Sequence, residues 1–265
     1  MEERALFVRD GEDYVGTSLT QGGWDPNAAN GGVVLALMGH CLDEVPSLAP
    51  MTLGRFTADL VRPVPIGRRL RVESRVVREG KKIQLVAMTV LVGDVEHAHA
   101  SALRLRDADM TGPDVPVSTT AARPADALVG PEAATGFGHA AAEMPRFLQA
   151  VDMRRAPRLD GSGFGSWLRL RVPVVAGEPI RPTARVTFGF DFANLIGLDA
   201  RSVSVTMINP DVTAHVLRPP TGEWIAITGD TWVNAPLGRG VSAAMLSDLD
   251  GVFAMVSMSQ LVQRR

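Results

Sequence analysis

A single carboxylate lies inside an apolar stretch in the second half of the chain. Asp191 stands between Phe190 and Phe192. The surrounding segment, 182–198, has an apolar spacing that predicts a helix. Asn194 follows three residues later, so a helix places it on the same face as Asp191. A carboxylate near aromatic rings is expected to have a raised pKa, and it could activate a water molecule. The alternative is a solvent-facing aspartate on an amphipathic helix.

A helix N-terminus in the first half could stabilise a developing negative charge. Asn30 is the predicted N-cap of a helix over 31–45, and Gly31 and Gly32 follow it. Glycines at a helix start allow close approach of a ligand or of another backbone, and the free N–H groups there favour an anion. A thioester carbonyl under attack needs such an oxyanion site, where one donor contributes roughly 3–4 kcal/mol. The alternative is an ordinary capped helix.

The last predicted strand carries a third polar group. Period-two alternation places Gln260 on the same face as Val256, Met258 and Val262. An amide among apolar side chains needs a hydrogen-bond partner, and it could orient a water or bind a carbonyl. A solvent-facing edge position is equally compatible with the pattern.

Composition and motifs exclude several other chemistries. The 265 residues include 27 basic and 29 acidic side chains, so the basic excess typical of nucleic-acid binding is missing. The single cysteine, Cys41, excludes an internal disulfide framework and a cysteine metal cage. His97 and His99 have no third ligand at a recognisable spacing, so no metal is expected. No nucleophile elbow, P-loop or dinucleotide fingerprint is found, so neither an α/β serine hydrolase nor a nucleotide cofactor is supported.

The N-terminus indicates neither export nor a membrane anchor. The start, Met1 to Arg4, is acidic and precedes no long apolar run. The best apolar run of the first half, 33–38, is far shorter than the roughly 20 residues of a membrane span. A cytoplasmic protein without a membrane partner is therefore expected.

The elements around these residues form two similar halves. Each half has a predicted helix and a set of short strands with glycine turns, typical of antiparallel pairing. Strands are predicted, among others, over 69–78, 83–92 and 147–154. The segments 56–63 and 212–219 share Thr, Ala, Arg and Pro in register, at an offset of 156 residues. We expect an N-terminal unit over 1–110, a linker over 111–145 and a C-terminal unit over 146–265.

The chain resembles the double-hotdog acyl-CoA thioesterases of the thioesterase II (TesB-like) superfamily, and most closely its actinobacterial thioesterase-like branch. The resemblance is carried by five segments, of which the Arg-Pro-Pro-x-Gly-Glu-Trp run is the most specific: 30–32, 191–194, 209–215, 218–224 and 259–260. It implies an α+β double hotdog, with two long-helix-plus-antiparallel-sheet units in one chain.

The resemblance also implies roles for individual residues. In that family an Asp, a Gln and a Ser or Thr hold the attacking water, and these positions fall on Asp191, Gln260 and Asn209. Asn209 departs from the hydroxyl that the family has. The helix of the first half lacks an equivalent of that aspartate, and the glutamine position of this half falls near Ala102, so one catalytic site per chain is expected.

The expected function is hydrolysis of an acyl-CoA to a free acid and CoA, within lipid metabolism and without a cofactor. Substrate contacts are expected from four residues at the two helices: Asn30, Gly31, Gly32 and Asn194. The acyl chain is expected between the two helices, and the resemblance is compatible with a homo-oligomer. One alternative is a non-catalytic acyl-CoA or ligand binder. An enoyl-CoA hydratase ranks last, because its Asp is followed five residues later by a His, and Asp191 is followed there by Ile196.

Overall fold

The computed structural model describes residues 4–112, 128–136, 145–195 and 205–264. In these ranges the chain forms a long antiparallel sheet and two α-helices, α1 (Gly31–Leu42) and α2 (Pro182–Phe190). The strands are β1 Phe7–Asp10, β2 Asp13–Gly16, β3 Met51–Asp59, β4 Arg69–Arg78, β5 Ile83–Val92, β6 Val95–Arg106, β7 Thr135–Gly136, β8 Val151–Pro157, β9 Phe164–Leu170, β10 Val205–Ile208, β11 Asp211–Val216, β12 Ile225–Asn234, β13 Arg239–Asp248 and β14 Gly251–Arg264. Short 3₁₀ helices lie at Ser18–Thr20, Pro131–Ala133, Arg146–Ala150, Asp191–Leu195 and Ala235–Leu237.

Helix α1 begins where the sequence predicts. The Asn30 Oδ1 accepts a hydrogen bond from the Val33 N–H at 3.3 Å, which confirms Asn30 as the N-cap. Every residue from Gly32 to Leu42 is buried, so the helix is covered on all sides by the rest of the fold. Its last residue is Leu42, three residues before the predicted end at residue 45, and Asp43 is its C-cap.

Helix α2 is shorter than predicted. The expectation of two long helices is not clearly matched, because α2 has 9 residues and continues from Asp191 as a 3₁₀ helix. Within that 3₁₀ helix, the Asn194 carbonyl accepts from the Gln260 Nε2 on the last strand. Residues 196–198 of the predicted helix lie outside the described residues.

The sheet joins the two halves through a symmetric pair of strands. Its order is β1-β2-β4-β5-β6-β3-β11-β14-β13-β12-β9-β8-β7, with β10 paired to the end of β14. Strand β3 pairs antiparallel with β11, and Thr57 lies opposite Thr213. These two threonines are matched by the 156-residue offset, so the repeated segments pair with each other about a local two-fold axis.

The segment predicted as a linker contacts the sheet over its described part. Leu128 is buried against Trp167, and β7 pairs with β8. Residues 113–127 and 137–144 of that segment lie outside the described residues. The boundaries at 110 and 146 therefore stay a prediction.

The two helices are antiparallel and in direct contact. Gly32 lies against Phe188, whereas Gly39, near the other end of α1, lies against Thr183 and Ala184. A Cβ on Gly39 would stand 2.8 Å from the Thr183 carbonyl oxygen, so only glycine permits this approach. The packing brings the C-terminus of α2 to the N-terminus of α1, which is where the site forms. None of the helices in the described ranges is long and apolar enough to span a membrane.

Candidate active site

Asp191 is a buried carboxylate held by three donors. It caps the C-terminus of α2 and is only 5% exposed. The Asn209 Nδ2 donates to its Oδ1 at 2.7 Å, and the Asn30 Nδ2 donates to its Oδ2 at 3.2 Å. The backbone N–H of Gly32, in the first turn of α1, is the third donor. The site thus joins the start of α1, the end of α2 and the turn before β11.

The orientations of the neighbouring amides match an ionised aspartate. The Oδ1 of Asn30 is occupied by the Val33 N–H, so its Nδ2 faces Asp191. The Oδ1 of Asn209 accepts from the Asn194 Nδ2 at 3.1 Å, so its Nδ2 faces Asp191 as well. Since both amides present donors, the group at 191 must accept on both oxygens, which a carboxylate does when it is ionised.

Burial and hydrogen bonding act on the pKa of Asp191 in opposite directions. Burial raises the pKa and is the larger effect, whereas hydrogen bonds from Asn209, Gly32 and Asn30 lower it. A carboxylate with a raised pKa is a stronger base than an ordinary aspartate, which is the property that general-base chemistry requires.

The two glycines at the start of α1 are required by the position of Asp191. A Cβ on Gly31 would lie 2.7 Å from the Asp191 Oδ1, and one on Gly32 would lie 3.1 Å from its Cβ. The close approach predicted at these glycines is therefore made by the protein's own carboxylate. Gly31 lines the adjoining cavity, and its N–H has no hydrogen-bond partner among the described residues.

A cavity of about 290 Å³ opens beside the carboxylate. Asp191, Asn209 and Gly31 line one side of it. The other lining residues are mainly apolar, and two of them, Asp25 and Arg62, are charged. The large apolar ones include Trp24, Val34, Leu60 and Ile208. The cavity lies at the N-terminus of α1. The expectation that the acyl chain lies in a channel between the two helices is wrong, because the helices touch at Gly39.

Gln260 lies outside this cavity. It is buried, and its Nε2 donates to the Asn194 carbonyl and to the Ser242 Oγ, both at 2.6 Å. Its Oε1 has no partner in the described part of the chain. Ser242 was not predicted as a site residue. The sequence of β13 carries no signal that identifies it, because the exposed Val241 and Met245 are more apolar than the buried Ser242.

The corresponding helix end in the first half also carries an aspartate. The expectation that this helix lacks an equivalent of Asp191 is wrong for the cap position, because Asp43 caps α1 and accepts from the N–H and Oγ1 of Thr183, in the first turn of α2. Asp43 is exposed and does not line the cavity. Two aspartates thus cap the two helices reciprocally, but only Asp191 is buried beside a cavity.

The strand register also identifies the counterpart of Gln260. Ser101 lies opposite Thr57 and Ser257 lies opposite Thr213, so the 156-residue offset matches Gln260 with Arg104 rather than with Ala102. The Arg104 Nη1 donates to the Val45 carbonyl at 2.8 Å, as Gln260 does to a carbonyl after α2. The first-half position therefore stabilises the chain after α1 with a cation.

One cluster near the other end of α1 has metal-binding residue types. His40, Glu44 and Glu178 present ligand atoms within 4.8 Å of one another. The carboxylates are already paired, because Arg181 lies 3.0 Å from Glu44 and 2.8 Å from Glu178, and Arg9 lies 2.8 Å from Glu44. These arginines supply the positive charge that a cation would otherwise provide.

Solved structures with similar folds are thioesterases or hot dog proteins. A candidate thioesterase from Novosphingobium aromaticivorans is 18% identical, with 97% of this chain and 98% of that chain covered and a TM-score of 0.73. Acyl-CoA thioesterase II TesB2 from Mycobacterium marinum is 12% identical, with 94% and 96% covered and a TM-score of 0.63. A hot dog protein of unknown function from Alicyclobacillus acidocaldarius is 16% identical, with 98% and 95% covered and a TM-score of 0.64. The fold is therefore of the hot dog class.

Two family models together cover most of the chain. The acyl-CoA thioesterase N-terminal domain matches residues 20–105, and the acyl-CoA thioesterase C-terminal domain matches residues 121–262. No curated protein sequence matches significantly. The chain belongs to the acyl-CoA thioesterase family and is a thioester hydrolase.

Proposed function

We propose that the protein hydrolyses an acyl-CoA to a free acid and CoA, with Asp191 as the general base. The observation that carries this proposal is a buried carboxylate, oriented by three donors, at the edge of a largely apolar cavity. A water between Asp191 and the thioester carbonyl would be activated by loss of a proton to the carboxylate.

The proposed steps balance within this one site. Asp191 removes a proton from the water as the oxygen attacks the thioester carbon, which gives a tetrahedral oxyanion. The free N–H of Gly31 and the dipole of α1 stabilise that oxyanion. Collapse of the intermediate breaks the C–S bond, and the proton held by Asp191 passes to the departing CoA thiolate.

Asn209 and Asn194 support this base through a chain of amides. Asn209 stands at the family's hydroxyl position and donates directly to Asp191, and Asn194 donates to Asn209. A hydroxyl at position 209 could donate to Asp191 and accept from Asn194, and the asparagine makes these same two hydrogen bonds. The departure from Ser or Thr is therefore compatible with catalysis.

Gln260 is proposed to act through the backbone that follows Asp191. Its hydrogen bond to the Asn194 carbonyl holds the 3₁₀ helix that begins at Asp191, and Ser242 fixes its amide. Direct contact of Gln260 with the water, as the resemblance implies, stays a prediction. Its unpartnered Oε1 is the atom that would make that contact.

The acyl group is proposed to enter the cavity beside Leu60 and Val34. A volume of about 290 Å³ holds about ten non-hydrogen atoms, at roughly 30 Å³ for each atom or small group in a liquid. That size suits a short or medium acyl group together with its thioester. The halves 1–110 and 146–265, joined by 111–145, are proposed to be two hotdog units that share this one site.

A panel of acyl-CoAs of increasing chain length, followed by release of free thiol, tests the proposal. Wild type should release CoA stoichiometrically with free acid, and Asp191→Asn should lose turnover while keeping its melting temperature. A non-catalytic acyl-CoA binder is the second candidate, favoured by the missing hydroxyl at Asn209. Native mass spectrometry that finds retained, unhydrolysed acyl-CoA on the wild type would favour the binder.

A further inference from the structure

Asn30 makes two hydrogen bonds with different purposes. Its Oδ1 accepts from the Val33 N–H at 3.3 Å and caps α1. Its Nδ2 donates to the Asp191 Oδ2 at 3.2 Å, across 161 residues of sequence. A helix cap needs only the acceptor, so capping accounts for one of these bonds and leaves the other without a structural explanation.

The second helix indicates that a capping side chain at the N-cap residue itself is not a requirement of this fold, because Asp43 accepts from the Thr183 N–H there. Arg181 is the N-cap of α2 and makes no side-chain capping bond. Its guanidinium instead binds the His40 carbonyl, Glu44 and Glu178. The N-cap position therefore holds an ion-pairing arginine in one half and a carboxylate-binding amide in the other.

The terminal torsion of an aspartate is broad, so a single donor does not fix the plane of its carboxylate. Asn209 holds Oδ1 and Asn30 holds Oδ2. With a side-chain donor on each oxygen, in addition to the Gly32 N–H, rotation of the group would break at least one bond. The two asparagines together thus set the direction of the remaining lone pairs.

We propose that Asn30 is a positioning residue for hydrolysis, which fixes the plane of the Asp191 carboxylate so that a free lone pair faces the cavity. This inference rests on the proposed function. It assigns Asn30 to the catalytic base rather than to the substrate contact that the sequence suggests. Because the bond runs from α1 to the end of α2, it also makes the base depend on the helix–helix contact.

Because the direct partners of Asp191 are neutral, the inference can be tested by placing a charge at position 30. Its direct partners are the neutral groups Asn30, Gly32 and Asn209, and the charged residues of the same cavity are Asp25 and Arg62. A second carboxylate at position 30 would stand where Nδ2 now donates. Like charges at that distance raise the pKa of one member of the pair.

Two substitutions separate capping from positioning. Ser and Asp both retain the N-cap acceptor, so Asn30→Ser should melt close to wild type, whereas Asn30→Asp should melt lower at neutral pH because it places a second carboxylate beside Asp191. Asn30→Ser should lower kcat about tenfold with little change in KM, because the donor to Asp191 is lost. Asn30→Asp should also move the acidic limb of the pH–kcat profile upward by about one pH unit.

The outcomes distinguish this inference from the proposed function. Wild-type kcat in Asn30→Ser and an unmoved pH profile in Asn30→Asp, with Asp191→Asn inactive, would leave Asn30 as a helix cap only. Full turnover in Asp191→Asn would overturn the proposed function itself. If one variant melts well below wild type, the other decides, because a merely structural role would not move the pH profile.

Discussion

Substitution of Gly31 by alanine is expected to damage catalysis by more than its cost in fold stability explains. The new Cβ would lie 2.7 Å from the Asp191 Oδ1 and 3.0 Å from the Leu60 Cδ1. Oδ1 is the oxygen that Asn209 holds at 2.7 Å, so moving it away lengthens that hydrogen bond. A hydrogen bond to a charged group is worth about 1.5–3 kcal/mol, which corresponds to a loss of about 10- to 150-fold in kcat/KM.

Stability should fall as well. Gly31 is the first residue of α1, where the alanine preference of a helix interior does not offset overpacking, and overpacking costs about 1–3 kcal/mol. Urea unfolding should therefore place Gly31→Ala about 1–3 kcal/mol below wild type, while thiol release from acyl-CoA measures kcat/KM of the folded fraction.

Gly39→Ala is the matched control for this prediction. Its Cβ would also meet the other helix, 2.8 Å from the Thr183 carbonyl oxygen, but away from the carboxylate. It should lower the free energy of unfolding and leave kcat/KM of the folded fraction near wild type. Wild-type kcat/KM in Gly31→Ala, or an equal loss in Gly39→Ala, would refute the role given to this contact.

Three further substitutions test neighbouring parts of the account. Leu60→Ala removes three carbon atoms from the cavity wall, so the acyl chain preferred in the thiol-release assay should lengthen by up to three carbons. Val216 is the counterpart of Leu60 in the second half, and the same shift in Val216→Ala would contradict this expectation. Asn209→Ala should lower kcat at least tenfold, because Asp191 loses a donor, and unchanged kcat would remove Asn209 from the site. Burial, with help from a nearby arginine, lowers the pKa of His40, so the folded state disfavours its protonation and the free energy of unfolding should fall as pH drops below about 6.5. His40→Gln should flatten that dependence, measured by urea unfolding between pH 7.5 and 5.5. An unchanged slope would contradict the loss of stability assigned to protonation of His40.

Local sequence signals predict the elements of the first half well. Strands Arg69–Arg78 and Ile83–Val92 have the predicted bounds, because glycine turns separate them. The start of α1 follows from Asn30, whose cap is formed within four residues of chain. In each case the deciding interaction is close in sequence.

Long-range contacts account for the errors. The strand predicted over 147–154 is a 3₁₀ helix at its start, because the Phe147 N–H donates to the carbonyl of the distant Gln21. Beyond the end of α2, the Asn194 carbonyl accepts from Gln260, 66 residues away in the sequence. No periodicity within one segment reports such partners.

In the candidate site too, local sequence signals predict some features and long-range contacts determine the others. Asp191 stands out because a carboxylate is unusual among phenylalanines, and its burial follows from that setting. Its contact with Asn30 depends on the packing of two helices that are 161 residues apart at this point. Asn194 was expected to share a helix face with Asp191, but it reaches the carboxylate through Asn209.

The reciprocal aspartates provide the most direct test of the central claim that Asp191 is the base. Asp191→Asn and Asp43→Asn each replace the capping aspartate of one helix next to the first turn of the other. The measurement is kcat/KM for thiol release from one acyl-CoA, with melting temperatures as the check on folding. Asp191→Asn should lose at least a hundredfold in kcat/KM, and Asp43→Asn should stay near wild type. Equal activity of the two variants would contradict that claim.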